Sequence, residues 1–527
     1  MKRLNDLEYL KLNKLQAFFY KIKIFFCSIP GWFVHLMVTI GRFFARCGRA
    51  IGHEFMDIVR TFTKGNWAVK ISFLIFGFGN LYYGQVLRGI LFLLFEVIFI
   101  VFMFVPFAPG QLGTGLHWMN KAFFNPEGFI GNLHPQKVIV PGLLGNTETT
   151  IPGDDSTRVL LYGLLSVIFI VAFIYTWRLQ VKQCRICMDI RAKGKKIKSG
   201  KDDLKSLLDD QFHKTLLALP LGGILIFTVL PIIYMVLIAF TNYDAAHDGY
   251  ANLFSWVGLD NFNELTNFKE GGLGLAFGEI LSWTLMWAFF ATFTNYFLGM
   301  FVAIMINKKG IRIKKFWRTV LVMTIAIPQF VSLLYVSSLF APSGFIGKLL
   351  MDIPFIKDYM FTNHFDSLWK SPLISKILLI VINIWVGIPH IMLMATGILM
   401  NIPQDLYESS KVDGANGWQQ YTKITLPYML FVTGPYLLTS FVGNLNNFNV
   451  IYLLTCNGAP LNGYAGGVSI NSTDLLITWL FRMTAESTES KYYLASIVGI
   501  LVFLVVAILS LVVYNVIPST KNEEDFK

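Results

Sequence analysis

The chain has 527 residues, of which 54% are hydrophobic, 15% aromatic and only 14% charged, and it carries a formal net charge of +12. This composition excludes an ordinary soluble protein and is typical of a polytopic membrane protein. The excess Lys and Arg residues lie mostly in segments that flank apolar runs. They therefore indicate membrane topology and contact with anionic membrane lipid, and not nucleic-acid binding.

Apolar runs of about 18 or more residues are long enough to cross a hydrocarbon core of ~30 Å as helices. Eight such runs predict an all-α polytopic membrane protein with about eight transmembrane helices. The runs cover residues 86–106, 159–177, 215–240, 279–306, 317–340, 373–400, 428–454 and 494–517. A shorter apolar stretch, 71–78, leads into GFGNLYYGQ and predicts a re-entrant or interfacial piece before the first span.

The distribution of basic residues predicts the orientation, because loops rich in Lys and Arg stay in the cytoplasm. The basic segments are 1–70, 178–214 and 307–318, and the segments poor in basic residues are 107–157, 241–277 and 341–372. We therefore expect both termini and the loop 401–427 to be cytoplasmic. Within segment 1–70, residues 15–60 alternate Phe, Ile, Trp and Leu with Lys, Arg and His, which favours amphipathic interfacial helices; a loosely ordered basic tail is the alternative.

A polar island, residues 408–427 with the sequence ESSKVDGANGWQQYTKITLP, separates two long apolar runs. Gly414 and Gly417 interrupt its helical pattern three residues apart. The pattern predicts two short helices with a bend between them, the second over 418–424 and ending before Pro427. Such a pair at the membrane surface is a candidate binding surface for another protein.

Motifs for catalysis or cofactor binding are missing from the sequence. The nearest approach to a phosphate-binding loop, GKKIKSGKDD at 194–203, has its glycines one residue too far apart. Cys184 and Cys187 form a CxxC pair, but a zinc site needs two further ligands nearby, so no metal site is predicted. Glu96 is the clearest acid within a span. The energy for transport must then come from another chain or from an ion gradient.

Polar residues inside the span 428–454 are costly unless they have partners. On a continuous helix Ser440, Asn444 and Asn447 lie on one face, and this neutral stripe suits hydrogen bonds to a polyhydroxyl solute. Hydrogen bonds between packed helices are the alternative explanation. In the preceding span, Pro389 predicts a kink and Gly387 permits close approach of a ligand or of another backbone.

The polar island resembles the coupling loop of permease subunits in ABC importers. Glu408, Gly414, Ile424, Leu426 and Pro427 stand at the spacings of that family's pattern. The segments IPQDLYESSKVDGA, GIPHIMLMATG, IAIPQFVSLL, VGLDNF and NNFNVIYLLT extend the resemblance to the larger permeases of maltose and maltodextrin importers, over about residues 215–517. Ser409 and Ser410 replace the two alanines of the coupling pattern.

This resemblance implies a type I importer in which a second permease, an ATPase dimer and an extracellular sugar-binding lipoprotein act with this chain. The ATPase would use ATP and Mg, and this chain would need no cofactor. The implied ATPase-coupling residues are Glu408, Ser409, Ser410, Asp413, Gly414, Ile424, Leu426 and Pro427. The implied substrate-binding residues are Asn383, Gly387, His390, Ser440, Asn444 and Asn447, of which His390 stands where the family has Tyr.

We therefore interpret the chain as a non-enzymatic permease of the plasma membrane that imports a neutral oligosaccharide, with maltose or maltodextrin as the leading substrate. The enterobacterial relative carries a large folded domain where this chain has only the loop 241–277, so the resemblance implies a Gram-positive source. The alternative is an ion-coupled secondary sugar carrier. The expected organisation is a segment 1–70, an extension 71–214 with two spans, a permease core 215–517 with six spans, and a tail 518–527.

Overall fold

The structure is a computed structural model of the chain. The residues it describes are 52–105, 114–124, 136–142, 145–151, 153–197, 212–249, 253–269, 272–308, 310–455, 460–465, 468–486 and 490–516, with scattered positions between 38 and 50 and between 205 and 209. Residues 1–37 of the predicted N-terminal segment, and the predicted tail 518–527, lie outside this part of the chain.

Helices dominate the described residues. The helices are α1 (Trp67–Ile71), α2 (Phe78–Tyr82), α3 (Val86–Phe104), α4 (Gly115–Met119), α5 (Ser156–Ala192), α6 (Phe212–Ile224), α7 (Leu230–Ile238), α8 (Leu273–Asn307), α9 (Lys314–Ala326), α10 (Gln329–Leu339), α11 (Phe345–Met351), α12 (Pro354–Thr362), α13 (Pro372–Leu399), α14 (Gln404–Val412), α15 (Gly417–Gln420), α16 (Leu426–Leu445), α17 (Phe448–Thr455), α18 (Leu476–Phe481) and α19 (Tyr492–Val516). Two antiparallel hairpins pair β1 (Gln136–Gly142) with β2 (Gly145–Ile151) and β3 (Pro460–Ala465) with β4 (Val468–Asn471).

The helices confirm an all-α membrane protein. Seven stretches of the described residues are long and apolar enough to cross a membrane. They are Val86–Phe104, Ser156–Ala192, Phe212–Ile238, Leu273–Asn307, Pro372–Leu399, Gly417–Thr455 and Tyr492–Leu511. The predicted interfacial piece 71–78 is not among them.

The span predicted over 317–340 consists of two helices with a sharp bend between them. Helix α9 ends before Ile327, α10 begins after Pro328, and the two helices meet at an angle of 93°. Ile327 has extended backbone angles of −83° and 129°. A residue before proline is pushed out of the helical region, because the proline ring clashes with its backbone. Counted as one bent span, α9 and α10 bring the total to eight.

The chain divides into two compact units, residues 1–107 with 165–220 and residues 108–164 with 221–527. In the first unit, the segment between α1 and α2 is held by side chains of the spans. Glu96 of α3 accepts a hydrogen bond from the Phe76 backbone N–H at 2.9 Å, and Gln180 of α5 donates to the Ser72 carbonyl. These contacts give buried backbone groups the partners that a non-spanning piece would otherwise lack.

In the second unit, α8 and α13 pack side by side along most of their length. Trp287 and Ala291, midway along α8, pack in one cluster with Leu379 and Ile382 of α13. Further along, Tyr296 and Met300 pack in a second cluster with residues of α13 and α16. This three-helix packing positions the polar residues described next.

Candidate functional site

The bend between α14 and α15 is built by a glycine. Gly414 has a φ of +81°, a conformation that costs other residues about 1 kcal/mol or more. The Ala415 N–H then donates to the Ser410 carbonyl at 2.9 Å, which closes the end of α14. No atom of the described residues lies within 4 Å of a Cβ built on Gly414, so the requirement for glycine here is conformational.

The second short helix starts with a capping box. Asn416 accepts a hydrogen bond from the Gln419 N–H at 2.8 Å, and the Gln419 side chain accepts one from the Asn416 N–H at 2.9 Å. Gln420 then donates to the Ser410 hydroxyl at 2.8 Å, which joins α15 to α14. The Tyr407 hydroxyl adds a bond of 2.9 Å to Thr425. The α14–α15 pair is therefore braced internally.

The prediction that the second short helix stops before Pro427 is wrong. A π-helical turn, Tyr421–Thr425, carries α15 into α16, and Pro427 lies in the first turn of α16. The Leu426 N–H donates to the Tyr421 carbonyl five residues back. The wider turn accommodates a residue that has no N–H of its own and whose ring would clash with a carbonyl in a regular α-helix. The α14–α15 pair is consequently continuous with the next span.

The predicted coupling residues lie on this pair and on the turn that follows. Glu408, Ser409, Asp413, Gly414 and Pro427 are exposed, and Ser410, Ile424 and Leu426 are half-buried. Ser410 contributes to the internal bracing, since it accepts from Gln420. Sequence reasoning missed two apolar side chains on the same pair, Val412 at 88% exposure and Trp418 at 71%. Apolar residues held in water at a rigid bend are typical of a protein-binding surface.

The second group of predicted residues lies on α13, α16 and the break after α16. Asn383 is buried, Gly387, Ser440, Asn444 and Asn447 are half-buried, and His390 is exposed. The His390 ring centroid lies 6.2 Å from that of Tyr436 on α16. Ser440 follows Tyr436 by one helical turn. These three residues therefore lie together where α13 and α16 approach each other.

The predicted stripe on one continuous helix is interrupted. Helix α16 ends at Leu445 and α17 begins at Phe448, so Asn447 lies in a break. Asn447 nevertheless reaches back and donates to the Asn444 Oδ1 at 3.2 Å, and Asn444 donates to the Thr292 hydroxyl of α8 at 3.0 Å. The amides thus form a relay that ends on another helix.

Two buried amide side chains in this region each have one polar atom that makes no hydrogen bond among the described residues. Asn383 is 6% exposed and its Nδ2 has no partner among the described residues; Asn295 of α8 is 8% exposed and its Oδ1 likewise has none. Gly387 lies against Asn295, because a Cβ at position 387 would overlap the Asn295 amide. An unpaired donor and an unpaired acceptor in one buried region can accept a hydroxyl-bearing ligand or water.

The structure therefore joins the predicted α13 and α16 residues through two α8 residues that sequence reasoning missed, Thr292 and Asn295. Their signal was two polar residues three apart in an apolar helix, which place both on one side of α8. Apart from His390, these side chains carry no titratable group, so the region suits a neutral polar solute. Within the described residues, no group of His, Cys, Asp or Glu side chains could hold a metal ion.

The sequence of this chain is similar to those of known transport proteins. The family model for the binding-protein-dependent transport system inner membrane component matches residues 295–522. The maltodextrin transport system permease protein MalC of Streptococcus pneumoniae is 32% identical over 381 residues, covering 69% of this chain and 83% of that protein. The galactooligosaccharides transport system permease protein GanP of Bacillus subtilis is 32% identical over 377 residues, covering 71% and 86%.

Among solved structures, one similar chain comes from the crystal structure of a bacterial alginate ABC transporter in complex with an alginate pentasaccharide-bound periplasmic protein. It has a TM-score of 0.46 and 22% identity, and the match covers 60% of this chain and 98% of that chain.

Proposed function

This chain belongs to the family of binding-protein-dependent transport system inner membrane components and is a permease subunit of an ABC importer; on that premise we propose that it conducts a neutral oligosaccharide, with maltodextrin as the leading substrate. The resemblance to the maltodextrin permeases is thereby confirmed. Family membership lends no support to the ion-coupled carrier considered as the alternative.

One observation carries the substrate proposal, namely the relay of neutral amides across three helical elements. Asn447, Asn444 and Thr292 are linked by hydrogen bonds, the Asn295 amide lies against Gly387, and Asn383 precedes Gly387 by one turn of α13. Asn383 and Asn295 each have one amide atom without a partner among the described residues. A sugar carries hydroxyls that donate and accept at once, so it can match both unpaired atoms. A charged substrate would find no counter-ion among these side chains.

The choice among sugars rests on the relatives. The same identity of 32% connects this chain to a maltodextrin permease and to a galactooligosaccharide permease. We propose Asn383, Gly387, His390, Ser440, Asn444 and Asn447 as substrate-binding residues. The test is uptake of labelled maltotriose into proteoliposomes holding the complete transporter, with a galactosyl trisaccharide as competitor. Maltotriose uptake that resists the competitor supports a maltodextrin importer, and the reverse order of preference contradicts it.

We propose that the α14–α15 pair binds an ATPase subunit through Glu408, Asp413, Gly414 and the neighbouring coupling residues. The braced bend and the exposed Val412 and Trp418 support this proposal. ATP and Mg would then act on the ATPase dimer, while a second permease and an extracellular sugar-binding lipoprotein complete the assembly. Co-purification tests it: uptake that survives ATP depletion, with no ATPase chain bound, would contradict the whole assignment.

The orientation is also a proposal. We place the chain in the plasma membrane of a Gram-positive bacterium with both termini and the α14–α15 pair in the cytoplasm. The basic segments flanking the spans and the relatives in Streptococcus and Bacillus support it. A single cysteine introduced at the exposed position Asp413 should react with a membrane-impermeant thiol reagent in inside-out vesicles only. Labelling from the outside would contradict this orientation.

A further inference from the structure

A cavity of about 680 Å³ lies at the other end of α13, away from the α14–α15 pair. Its walls come from the first turns of α8, from Lys376 one turn into α13, and from the segment just before α18. The residues used here are Phe268, Leu275, Glu279, Met286, Lys376 and Ser472, with Trp283 behind Lys376. None of them belongs to the amide relay described above.

Lys376 supplies the positive charge of this cavity. Its side chain is half-buried, and its ammonium group lies 4.8 Å from the ring centroid of Trp283. The Trp283 indole is itself held, since it donates to the Thr473 carbonyl at 3.1 Å. Among the described residues, Lys376 forms no ion pair within 4.0 Å, and the carboxylate that attracts its charge is that of Glu279 in the same cavity. The ammonium group therefore retains donors for a ligand.

Ser472 supplies a second polar group. The residue is 5% exposed, and its hydroxyl has no hydrogen-bond partner among the described residues. Buried hydroxyls are normally paired, so this one indicates a ligand or water in the cavity.

The nearby carboxylate of Asp474 already accepts three hydrogen bonds. Its Oδ1 accepts from Arg482 at 3.2 Å and from Thr478 at 3.1 Å, and its Oδ2 accepts from the Asn471 N–H at 2.8 Å. Arg482 also pairs with Glu486 at 2.6 Å, so Asp474 shares the charge of Arg482 with a second carboxylate. Asp474 is therefore not the missing partner of Lys376.

The remaining wall is apolar and open. Leu275 is 40% exposed, Met286 53% and Phe268 71%, and they continue onto the outer surface of α8. Glu279 is exposed and also lines the cavity. Of the polar side chains that line the cavity, Ser282 already donates to the Gly278 carbonyl at 2.8 Å, which leaves Lys376, Ser472 and Glu279 for a ligand. These three groups, next to an exposed apolar surface on a membrane helix, match an amphiphile with a polar headgroup.

We propose that this cavity binds a phospholipid, with its phosphate between Lys376 and Ser472 and an acyl chain along Leu275 and Met286. Hydroxyl groups of a glycerol headgroup can donate to Glu279. With the orientation proposed above, the lipid belongs to the outer leaflet. The chemistry recognised is a phosphodiester on an apolar tail, and the site is separate from the sugar pathway and from the ATPase-binding surface.

The test uses the complete purified transporter, delipidated and titrated with dioleoylphosphatidylglycerol, with bound lipid counted by native mass spectrometry. Lys376→Ala should weaken the tightest lipid binding about tenfold, as expected for loss of a charged hydrogen bond at a half-buried site. Lys376→Arg should retain most of it, and Ser472→Ala should weaken it by a smaller factor. Lys357→Ala removes an exposed lysine of α12 outside the cavity and should leave lipid binding unchanged.

Competition identifies the source of the phosphate. Neither millimolar inorganic phosphate nor a glucosyl diacylglycerol should displace the lipid, because the former lacks the tail and the latter lacks the phosphate. Displacement by inorganic phosphate or by maltotriose would overturn the lipid assignment, as would equal lipid binding by Lys376→Ala and Lys357→Ala. Sugar uptake is measured separately on the same variants, so failure of the transport proposal and failure of the lipid proposal give different results.

Discussion

Asn295 of α8 and Gly387 of α13 are in direct contact, and the contact depends on the absence of a side chain at position 387. A Cβ there would overlap the amide of Asn295. Asn295 is 8% exposed and donates to the Ala291 carbonyl of its own helix at 2.8 Å, while its Oδ1 has no partner among the described residues. Gly387 thus serves two purposes, because it allows close helix packing and leaves space next to the buried Asn295 acceptor.

Gly387→Ala should therefore destabilise the transporter by about 1 to 3 kcal/mol, because the added methyl group must displace Asn295 or separate α8 from α13. Sugar uptake should fall with it. Gly397→Ala is the matched control on the same helix, since no atom in the described part of the chain lies within 4 Å of a Cβ at that position. Thermal unfolding of the two variants in the same detergent measures the difference. Equal melting temperatures would contradict the packing role.

Asn444→Ala should impair sugar uptake while leaving ATPase binding intact. The substitution breaks two half-buried hydrogen bonds, one from Asn444 to Thr292 and one from Asn447 to Asn444. Each of these bonds contributes ~1 kcal/mol to stability. Thr292→Val removes one bond of the relay and keeps the shape of the side chain. If Asn444 contacts sugar, its variant should raise the KM for maltotriose more than Thr292→Val does. Equal loss of stability with unchanged KM in both variants would leave helix packing as the role of Asn444.

The apolar spans were predictable from the sequence because lipid requires long apolar helices with satisfied backbones. The bend at Pro328 was not, although the residue before a proline favours extended structure. Hydropathy continues across Ile327 and Pro328 without change, and the angle of 93° depends on tertiary packing. The continuation of α15 past Pro427 was missed for a related reason, since a π-helical turn has no simple sequence signature.

The candidate site was likewise only partly predictable from the sequence. The family spacing picked out residues on α13 and α16, and periodicity placed Ser440 and Asn444 on one side of α16. Neither could identify Thr292 and Asn295, because two polar residues in a long apolar helix carry no indication of which neighbour they meet. Only the packing of α8 against α13 and α16 brings them to Gly387 and Asn444.

Asp57 provides a pH-dependent contribution to the stability of the first unit. Hydrogen bonds from Arg185, then from Arg178, hold the pKa of Asp57 below its ordinary value of 3.8. A carboxyl group with a lowered folded-state pKa stabilises above its unfolded-state pKa, and this stabilisation is lost as the pH falls through the folded-state value. Asp57→Asn should therefore lower the melting temperature at pH ~7, and the difference from the unaltered protein should shrink as the pH falls below ~4.

The matched control for Asp57 is Asp366→Asn. Asp366 pairs with Lys370 at 2.8 Å, but the pair is exposed, so water screens it. Its removal should leave the melting temperature nearly unchanged at every pH. If the melting temperature of Asp57→Asn differs from that of the unaltered protein by the same amount below pH ~4 as at pH ~7, the effect does not come from the carboxylate charge.

Gly414→Val should uncouple ATP hydrolysis from sugar uptake. A β-branched residue cannot adopt a φ of +81° without strain, so the bend between α14 and α15 should change although the surroundings are open. Glu408→Gln should weaken coupling without altering the bend. Gly417→Ala is the control, because Gly417 is the first helical residue of α15 and has open space around it. Hydrolysis and uptake are measured in the same proteoliposomes, and an unchanged ratio for Gly414→Val and Glu408→Gln would contradict the coupling role.

Trp418→Ala should weaken binding of the ATPase subunit at least tenfold, a loss of about 1.4 kcal/mol or more that is common when a central aromatic side chain is removed from an interface. Trp418 is 71% exposed in the isolated chain, and its ring centroid lies 5.5 Å from that of Tyr421. The Tyr421 ring therefore holds Trp418 in position for burial by a partner. Phe361→Ala is the matched control, since Phe361 is 82% exposed on α12, outside the α14–α15 pair. The dissociation constant of the ATPase from nanodisc-embedded permease gives the comparison. Equal affinities for the two variants would mean that the ATPase does not bury Trp418, and the docking surface would then have to be formed by the polar residues of the pair alone.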